Sequence, residues 1–308
     1  AFIALPQDVQ GWTYDYPVEL FEKRTHHIRR QAPDPQEVTN AIAMIEAAER
    51  PILIAGGGVQ YSGAVADLTA FAEKHQIPVV ETIAGRANLL DTHPLNIGPI
   101  GVTGSDSANA LAGAAGLVIA VGTRLQDFTT GSWTAFAKDA KCVNLNVGRH
   151  DATMHLSQPV VGDAKLSLEA LQTDYKTPAT WTAFAQDERQ KWNAYVADNV
   201  SQGNRPNSYA QAVGTVYALC DKRDRVVAAA GGLPAEVAAN WRTLDIGTVD
   251  VEFGFSCMGY EIAGGWGARI AQSEQEPAAD TIVFCGDGSY LLMNSDLYSS
   301  VLTQKKLI

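Results

Sequence analysis

The sequence predicts an α/β protein built from two parallel-sheet domains covered by helices. Three observations carry this reading. Short apolar runs of strand character alternate with segments of helical apolar spacing along most of the 308 residues. The alternation lapses after Leu171 and resumes near Ser208. Hydrophobic residues make up 46% of the chain and charged residues 19%, which is enough apolar material for two cores rather than one.

The chain opens without methionine on AFIALPQDV, a pattern that predicts a buried strand running into a turn. The basic cluster EKRTHHIRRQ at 22–31 lies just before a proline-punctuated joint and predicts a solvated linker face. From Pro35 the alternation begins. EVTNAIAMIEAAE and AVADLTAFAEKH have helical spacing, PILIA at 51–55 and PVVETI read as strands, and SANALAGAA, LVIAVG and CVNLNV repeat the cycle. Residues 35–175 are therefore expected to form one complete domain, with strands 51–55, 117–121 and 142–147 parallel. The rhythm weakens through QTDYKTPATW, and the polar DNVSQGNRPNS predicts a linker over 176–207.

A second unit follows over 208–308. YAQAVGTVYALC, PAEVAANW, YEIAGGWGARIAQ and SYLLMNSDLYSSVL read as helices, and RVVAAAGG and TIVFCGDG as strands that end in glycine turns. The closing KKLI reads as the start of a further strand, so this second sheet is expected to be incomplete and neither end of the sequence to be a natural domain boundary.

Composition removes several classes of function. A net charge of -11 leaves no basic stripe for nucleic acid. No apolar run approaches the eighteen or so residues of a membrane span, and no cationic start leads into an apolar stretch, so a soluble cytoplasmic protein is expected. Cys142, Cys220, Cys257 and Cys285 are too far apart for a zinc or dithiol site and read as small buried residues. His93 reads as structural, and the spacing of His150 and His155 is poor for two ligands on one helix face. Gly56, Gly57 and Gly58 could cradle a nucleotide phosphate or simply form a turn that the fold requires. The incomplete dinucleotide fingerprint, with only Glu81 as an acidic partner, favours the turn.

The strongest chemical signal is TIVFCGDGSYLLMN at 281–294. An apolar strand delivers Gly286, Asp287, Gly288 and Ser289 to the carboxyl edge of a parallel sheet, and a helix starts at once. Glycines allow close approach of a ligand, free amides at a helix start suit phosphate, and an aspartate can share a divalent cation with phosphate oxygens. Taken alone, an Asp-Gly pair after a strand is also a common tight turn.

GGLPAEVAANW at 231–241 and EFGFSCMGYEIAGGWGARIA at 252–271 each follow a strand, so three strand ends should converge on one rim. Together with the GDG unit they resemble the cofactor domain of thiamine-diphosphate (ThDP) enzymes of the acetolactate synthase and pyruvate oxidase type. RPILIAGGGV, HPLNIGPIGVTGS and LVIAVGTRLQDFTTGSW are similar, in order and spacing, to the central domain of that superfamily. The resemblance covers nearly the whole chain. It implies a tail of the pyrimidine-binding domain and a linker over 1–34, the central domain, and part of the pyrophosphate-binding domain. Within the superfamily, GGLPAEVAANWRTLDIGTVDVEFGFSCMGYEIAGGWGARIA and FCGDGSYLLMNSDLYSSVL are most similar to the carbon–carbon hydrolases of inositol catabolism that open a six-membered cyclic dione.

That resemblance implies ThDP and magnesium as cofactors, a cyclic dione as small-molecule substrate, and a homodimer or homotetramer with active sites between subunits. Asp287 resembles the first magnesium ligand, and Gly286, Gly288 and Ser289 resemble the diphosphate-binding turn. Met258 sits where the family places a bulky apolar residue against the bent cofactor, and its backbone and that of Ser256 would hydrogen-bond the pyrimidine. Gly231, Gly232 and Leu233 would lie near the diphosphate. The asparagine that finishes the family's magnesium site would fall beyond Ile308, and the activating glutamate belongs to a preceding domain, so no residue here is assigned a catalytic role. A fragment so composed is expected to be inactive by itself. A ThDP carboligase or decarboxylase of 2-oxo acids and a non-catalytic nucleotide-binding or assembly module remain as alternatives.

Overall fold

The computed structural model describes residues 4–201, 208–252, 254–275 and 279–308. The chain divides into two compact units, Ala1–Arg30 and Gln31–Ile308. In the first, every residue from 4 to 30 is exposed and the only regular elements among the described residues are 3-10 turns at Val9–Gly11 and Val18–Phe21. The basic cluster is exposed, as its composition predicts. Of the opening apolar run, Ala4 and Leu5 are exposed and lie in no strand, and residues 1–3 lie outside the described residues.

Among the described residues, the second unit holds two sheets. The larger has six strands, β1 (Pro51–Ala55), β2 (Val79–Glu81), β3 (Asn96–Pro99), β4 (Leu117–Val121), β5 (Lys141–Asn146) and β6 (Gln158–Val161). All pairs are parallel, in the order β3-β2-β1-β4-β5-β6, so the winding reverses between β1 and β4. The helices accompanying this sheet are α1 (Pro35–Glu46), α2 (Gly57–Ser62), α3 (Val65–His75), α4 (Asp106–Ala114), α5 (Asp127–Thr130), α6 (Arg149–Thr153) and α7 (Ala164–Ala170). Asp34 caps α1 by accepting from the Gln36 and Glu37 amides, with Pro35 in the first turn where no amide is needed.

Burial on both faces explains why the central strands read as unbroken apolar runs. Leu53, Ile119 and Leu145 belong to the core shared with Ile45, Leu68 and Phe71, while Ile52, Ile54 and Val118 belong to the opposite core with Leu111 and Trp181. The glycines after β1 answer a steric demand. A Cβ on Gly56 would stand 2.3 Å from the Gly122 carbonyl oxygen, and one on Gly58 would stand 2.8 Å from Gly122 Cα.

Most of the predicted linker over 176–207 is instead helix α8 (Ala179–Ser201). Besides Thr182, its buried positions among the described residues are Trp181, Ala185, Arg189, Trp192 and Val196, a stripe at helical spacing whose middle member is an arginine. Residues 202–207 of the predicted linker lie outside the described residues.

The smaller sheet contains β7 (Arg225–Ala228), β8 (Val249–Val251) and β9 (Thr281–Phe284), all parallel in the order β8-β7-β9. It is accompanied by α9 (Tyr209–Tyr217), α10 (Leu233–Asn240), α11 (Tyr260–Gln275) and α12 (Asp287–Leu302). On the outer side of β9, the Ile308 amide donates to Thr281 O at 3.0 Å and the Val283 amide to Ile308 O at 2.7 Å, a parallel pairing consistent with the strand start read in KKLI.

A buried charge cluster ties the sheets together. Asp91 accepts from Arg86 Nη2 at 3.0 Å, from the Thr243 amide at 2.6 Å and hydroxyl at 3.0 Å, and from Arg189. Arg86 also donates to Glu81 at 2.5 Å and to Trp241 O at 3.1 Å. The end of β2 supplies Glu81, the connection from β2 to β3 supplies Arg86 and Asp91, α8 supplies Arg189, and the chain after α10 supplies Thr243. Burial pushes the Asp91 carboxyl up, but the Arg86 and Arg189 guanidinium groups outweigh it and hold the group well below the ordinary carboxylate range. Glu81 is thereby occupied, with its other oxygen accepting the Asn88 and Leu89 amides at 2.9 Å each, so it is not free to hold a ribose.

Candidate functional site

The carboxyl ends of β7, β8 and β9 meet on one rim, as the order β8-β7-β9 requires. Beyond β7, Gly231 has φ +82, which only glycine adopts without strain, and Gly232 is the N-cap of α10, whose first residue is Leu233. Beyond β9, Gly286 is the N-cap of α12 and Asp287 its first residue, so the GDG segment is a helix start and not an isolated turn. The exposed Asp287 carboxylate accepts from the Gly288 amide at 2.9 Å.

Beyond β8, Glu252 shapes the loop. Its two carboxylate oxygens accept from the Phe255 amide at 3.0 Å and the Cys257 amide at 2.9 Å. Burial raises its pKa, but the Cys257, Phe255 and Gly254 amides outweigh that and bring it below the ordinary value. Ser256 is held at φ +53 in this loop, and Phe253 of the same motif lies outside the described residues. Met258 is half-exposed and reaches the GDG segment, since a Cβ on Gly288 would stand 2.7 Å from Met258 Cε.

Ser289 is buried, and its hydroxyl donates to Glu261 Oε1 at 3.0 Å, so the side chain points beneath the rim and the backbone is what it leaves for a ligand. Glu261, on the first turn of α11, is the residue that sequence reasoning missed. It is fully buried, accepts from the Ala230 amide at 3.1 Å through Oε1 and from the Gly259 amide at 2.9 Å through Oε2, and so touches all three rim segments. The available signal was one carboxylate in the small and apolar run YEIAGG, directly after a glycine turn.

Above the rim the ground is open at two predicted positions: a Cβ on Gly231 or on Gly286 would meet nothing within 4 Å. No group of three or more His, Cys, Asp or Glu side chains able to hold a metal occurs among the described residues, and Asp287 presents a single carboxylate. The other candidates are engaged elsewhere. His93 bridges Glu73 and the Leu95 amide, and His155 accepts from Trp133 Nε1 at 2.7 Å. Of the cysteines only Cys142 is fully buried, with burial pushing its thiol up to about 11. Cys257 is exposed because it lies on the Glu252 loop, contrary to the expectation that all four are buried. A separate cavity of about 580 Å³ lies between the β1/β4 reversal, at Gly57, Gly122 and Arg124, and the β8 end, at Asp250 and Tyr260.

Residues 38–171 match the family described as thiamine pyrophosphate enzyme, central domain, and residues 229–308 match the thiamine pyrophosphate enzyme, C-terminal TPP binding domain. The chain belongs to the thiamine pyrophosphate enzymes. It is similar to proteins named 3D-(3,5/4)-trihydroxycyclohexane-1,2-dione hydrolase. The one from Bacillus anthracis is 36% identical over 99% of this chain and 51% of its own length, and the one from Geobacillus thermodenitrificans is 37% identical over the same shares. The chain thus spans about half the length of the curated relatives it matches. The GDG helix start and the Met258 loop both fall inside the C-terminal match, and the β1/β4 reversal falls inside the central one.

Proposed function

We propose that this chain is the central domain and part of the cofactor domain of a ThDP- and magnesium-dependent hydrolase that opens the ring of trihydroxycyclohexane-1,2-dione in myo-inositol catabolism. The observation that carries the reading is the convergence of Gly231, Met258 and the Gly286–Ser289 segment on one sheet rim, in a chain whose curated relatives bear that hydrolase name.

The rim fits the cofactor. The open ground at Gly231 and Gly286 leaves room for a diphosphate against backbone, and the first amides of the sixteen-residue α12 have no partners within the helix. Asp287 adds a carboxylate beside those amides. Magnesium commonly takes one or two protein carboxylates together with phosphate oxygens and water, so the exposed aspartate can serve as one protein ligand of a diphosphate-bound ion. Met258, packed over Gly288 and half-exposed, offers an apolar contact to the part of the cofactor beyond the diphosphate. Bound ThDP supplies the carbon nucleophile and electron sink for cleavage of a bond next to a carbonyl. This chain's own part is to hold the diphosphate end, present Met258, and keep the Glu252 loop in register with the GDG helix start.

The apolar side chains left exposed on α12, among them Leu291, Leu292, Tyr298, Val301 and Leu302, support assembly into a homodimer or homotetramer, with the site covered by a neighbouring subunit. All four cysteines are free, which supports the reducing cytoplasm as the compartment. No helix among the described residues is long and apolar enough to cross a membrane. The test is turnover by the full-length protein with ThDP and magnesium, offering the cyclic dione and pyruvate in parallel. Hydrolysis of the dione is expected, and turnover of pyruvate alone would move the reading to the carboligase or decarboxylase class.

A further inference from the structure

Glu261 is a carboxylate with no solvent contact that accepts three hydrogen bonds and makes no ion pair among the described residues. Its donors are neither neighbours in sequence nor members of one element. The Ala230 amide sits two residues beyond the end of β7 and one before Gly231. The Gly259 amide follows Met258. The Ser289 hydroxyl lies on the first turn of α12, two residues after Asp287. Nothing in the packing of the sheet alone demands a charge here, since the surrounding positions of α11 and β9 are small or apolar. A buried carboxylate is costly unless its acceptor sites are filled, and here they are filled by the three segments that make up the rim.

We propose that Glu261 is the positioning residue of the cofactor rim, setting the distance between the diphosphate end at Gly286–Gly288 and the Met258 end. This rests on the ThDP reading above and adds to it a residue beneath the cofactor that touches no part of it. The geometry makes the role specific. The Gly286–Gly288 segment can receive a diphosphate by itself, because it carries its own helix start and its own carboxylate. ThDP must satisfy that segment and the Met258 loop at once, so its affinity depends on how the two are spaced. Gly259, at φ +92, packs directly on α12, since a Cβ there would stand 2.3 Å from Met293 Cγ, so the amide that Glu261 holds lies against the helix that begins at Asp287.

Glu261→Gln keeps the volume but opposes an NH2 group to at least one of the three donors, so the clip cannot close in any rotamer. In the full-length protein with magnesium, calorimetric titration is expected to give a ThDP affinity at least tenfold weaker than wild type. The affinity for inorganic diphosphate, which engages only the GDG end, should stay within about twofold. A merely structural carboxylate would lower the melting temperature and leave both affinities of the folded protein unchanged, which would overturn the proposal. Equal loss of both ligands by folded protein would also overturn it, since the residue would then serve the diphosphate end directly. Should Glu261→Gln fail to fold, Ser289→Ala removes one arm of the clip at little cost in volume and is read by the same ratio of ThDP to diphosphate affinity. Wild-type protein that binds neither ligand would refute the ThDP reading itself, an outcome distinct from all of these.

Discussion

Replacing Asp91 with asparagine should strongly destabilise the association of the two sheets. The carboxylate is about 95% buried, with one oxygen on Arg189 and the other shared by Arg86 and both donors of Thr243. Asparagine keeps the shape but removes the charge, leaving two buried guanidinium groups with Glu81 as their remaining carboxylate, and it turns an NH2 group toward one or more of these donors. Removing one partner of a buried, hydrogen-bonded ion pair costs about 3 to 5 kcal/mol. For a body of this size that corresponds to a fall in Tm of roughly 6 to 20 °C. Thermal melting and urea denaturation at neutral pH measure it. The sign of the pH dependence also follows. The folded Asp91 carboxyl titrates well below its unfolded value of about 3.9, so its contribution is complete above that value and fades as pH falls toward the folded one. The gap between wild type and Asp91→Asn should therefore be widest at neutral pH and narrow progressively below about pH 4. A variant melting within about 2 °C of wild type at pH 7 would mean that the cluster is not what joins the sheets.

Two glycines with opposite surroundings should behave oppositely. Gly56→Ala drives a Cβ into the Gly122 carbonyl and should cost about 1 to 3 kcal/mol or more in stability by denaturant melting, whereas Gly286→Ala enters open space at an ordinary φ and should leave Tm within about 2 °C. If the rim is the cofactor site, the same Gly286→Ala change should still weaken ThDP binding in a titration, because its methyl group occupies the diphosphate ground. Thiol reactivity should follow burial: at pH 8 iodoacetamide should label Cys257 quickly and Cys142 only on unfolding, as peptide mass mapping would reveal.

The sequence was most legible where one signal did one job. PILIA, LVIAV and the strand before GDG are apolar because both faces of each sheet are covered, and they stand as β1, β4 and β9 within a residue or so of the expected bounds. Strands β3 and β6 went unread because each is four residues long and contains proline, and β3 includes a glycine at φ +112, so local turn chemistry masks a pairing that only the neighbouring strand dictates. Helix α8 was hidden by Arg189, whose charge breaks an otherwise regular apolar stripe and is explained only by Asp91, 98 residues away. In the candidate site, the placement of Asp287, Met258 and Gly231 on one rim was legible from glycine spacing and family likeness. Glu261 was not, because its partners are two backbone amides and a serine hydroxyl, which leave no pattern in sequence. The inward turn of Ser289 is the other half of that same unseen contact.

The measurement that bears most directly on the account is titration of the full-length protein with ThDP in the presence of magnesium, wild type beside Asp287→Asn. A metal-binding Asp287 facing a dication and a diphosphate should, when neutralised, lose on the order of 2 to 4 kcal/mol, about thirtyfold to a thousandfold in cofactor affinity, with partial recovery at high magnesium. The melting temperature of the free protein should be unchanged, because the side chain is exposed on the rim and bonds only to its own neighbour's amide. Equal ThDP affinity in the two proteins would contradict the account: Asp287 would then only shape a helix start, and the metal diphosphate would have to be held elsewhere.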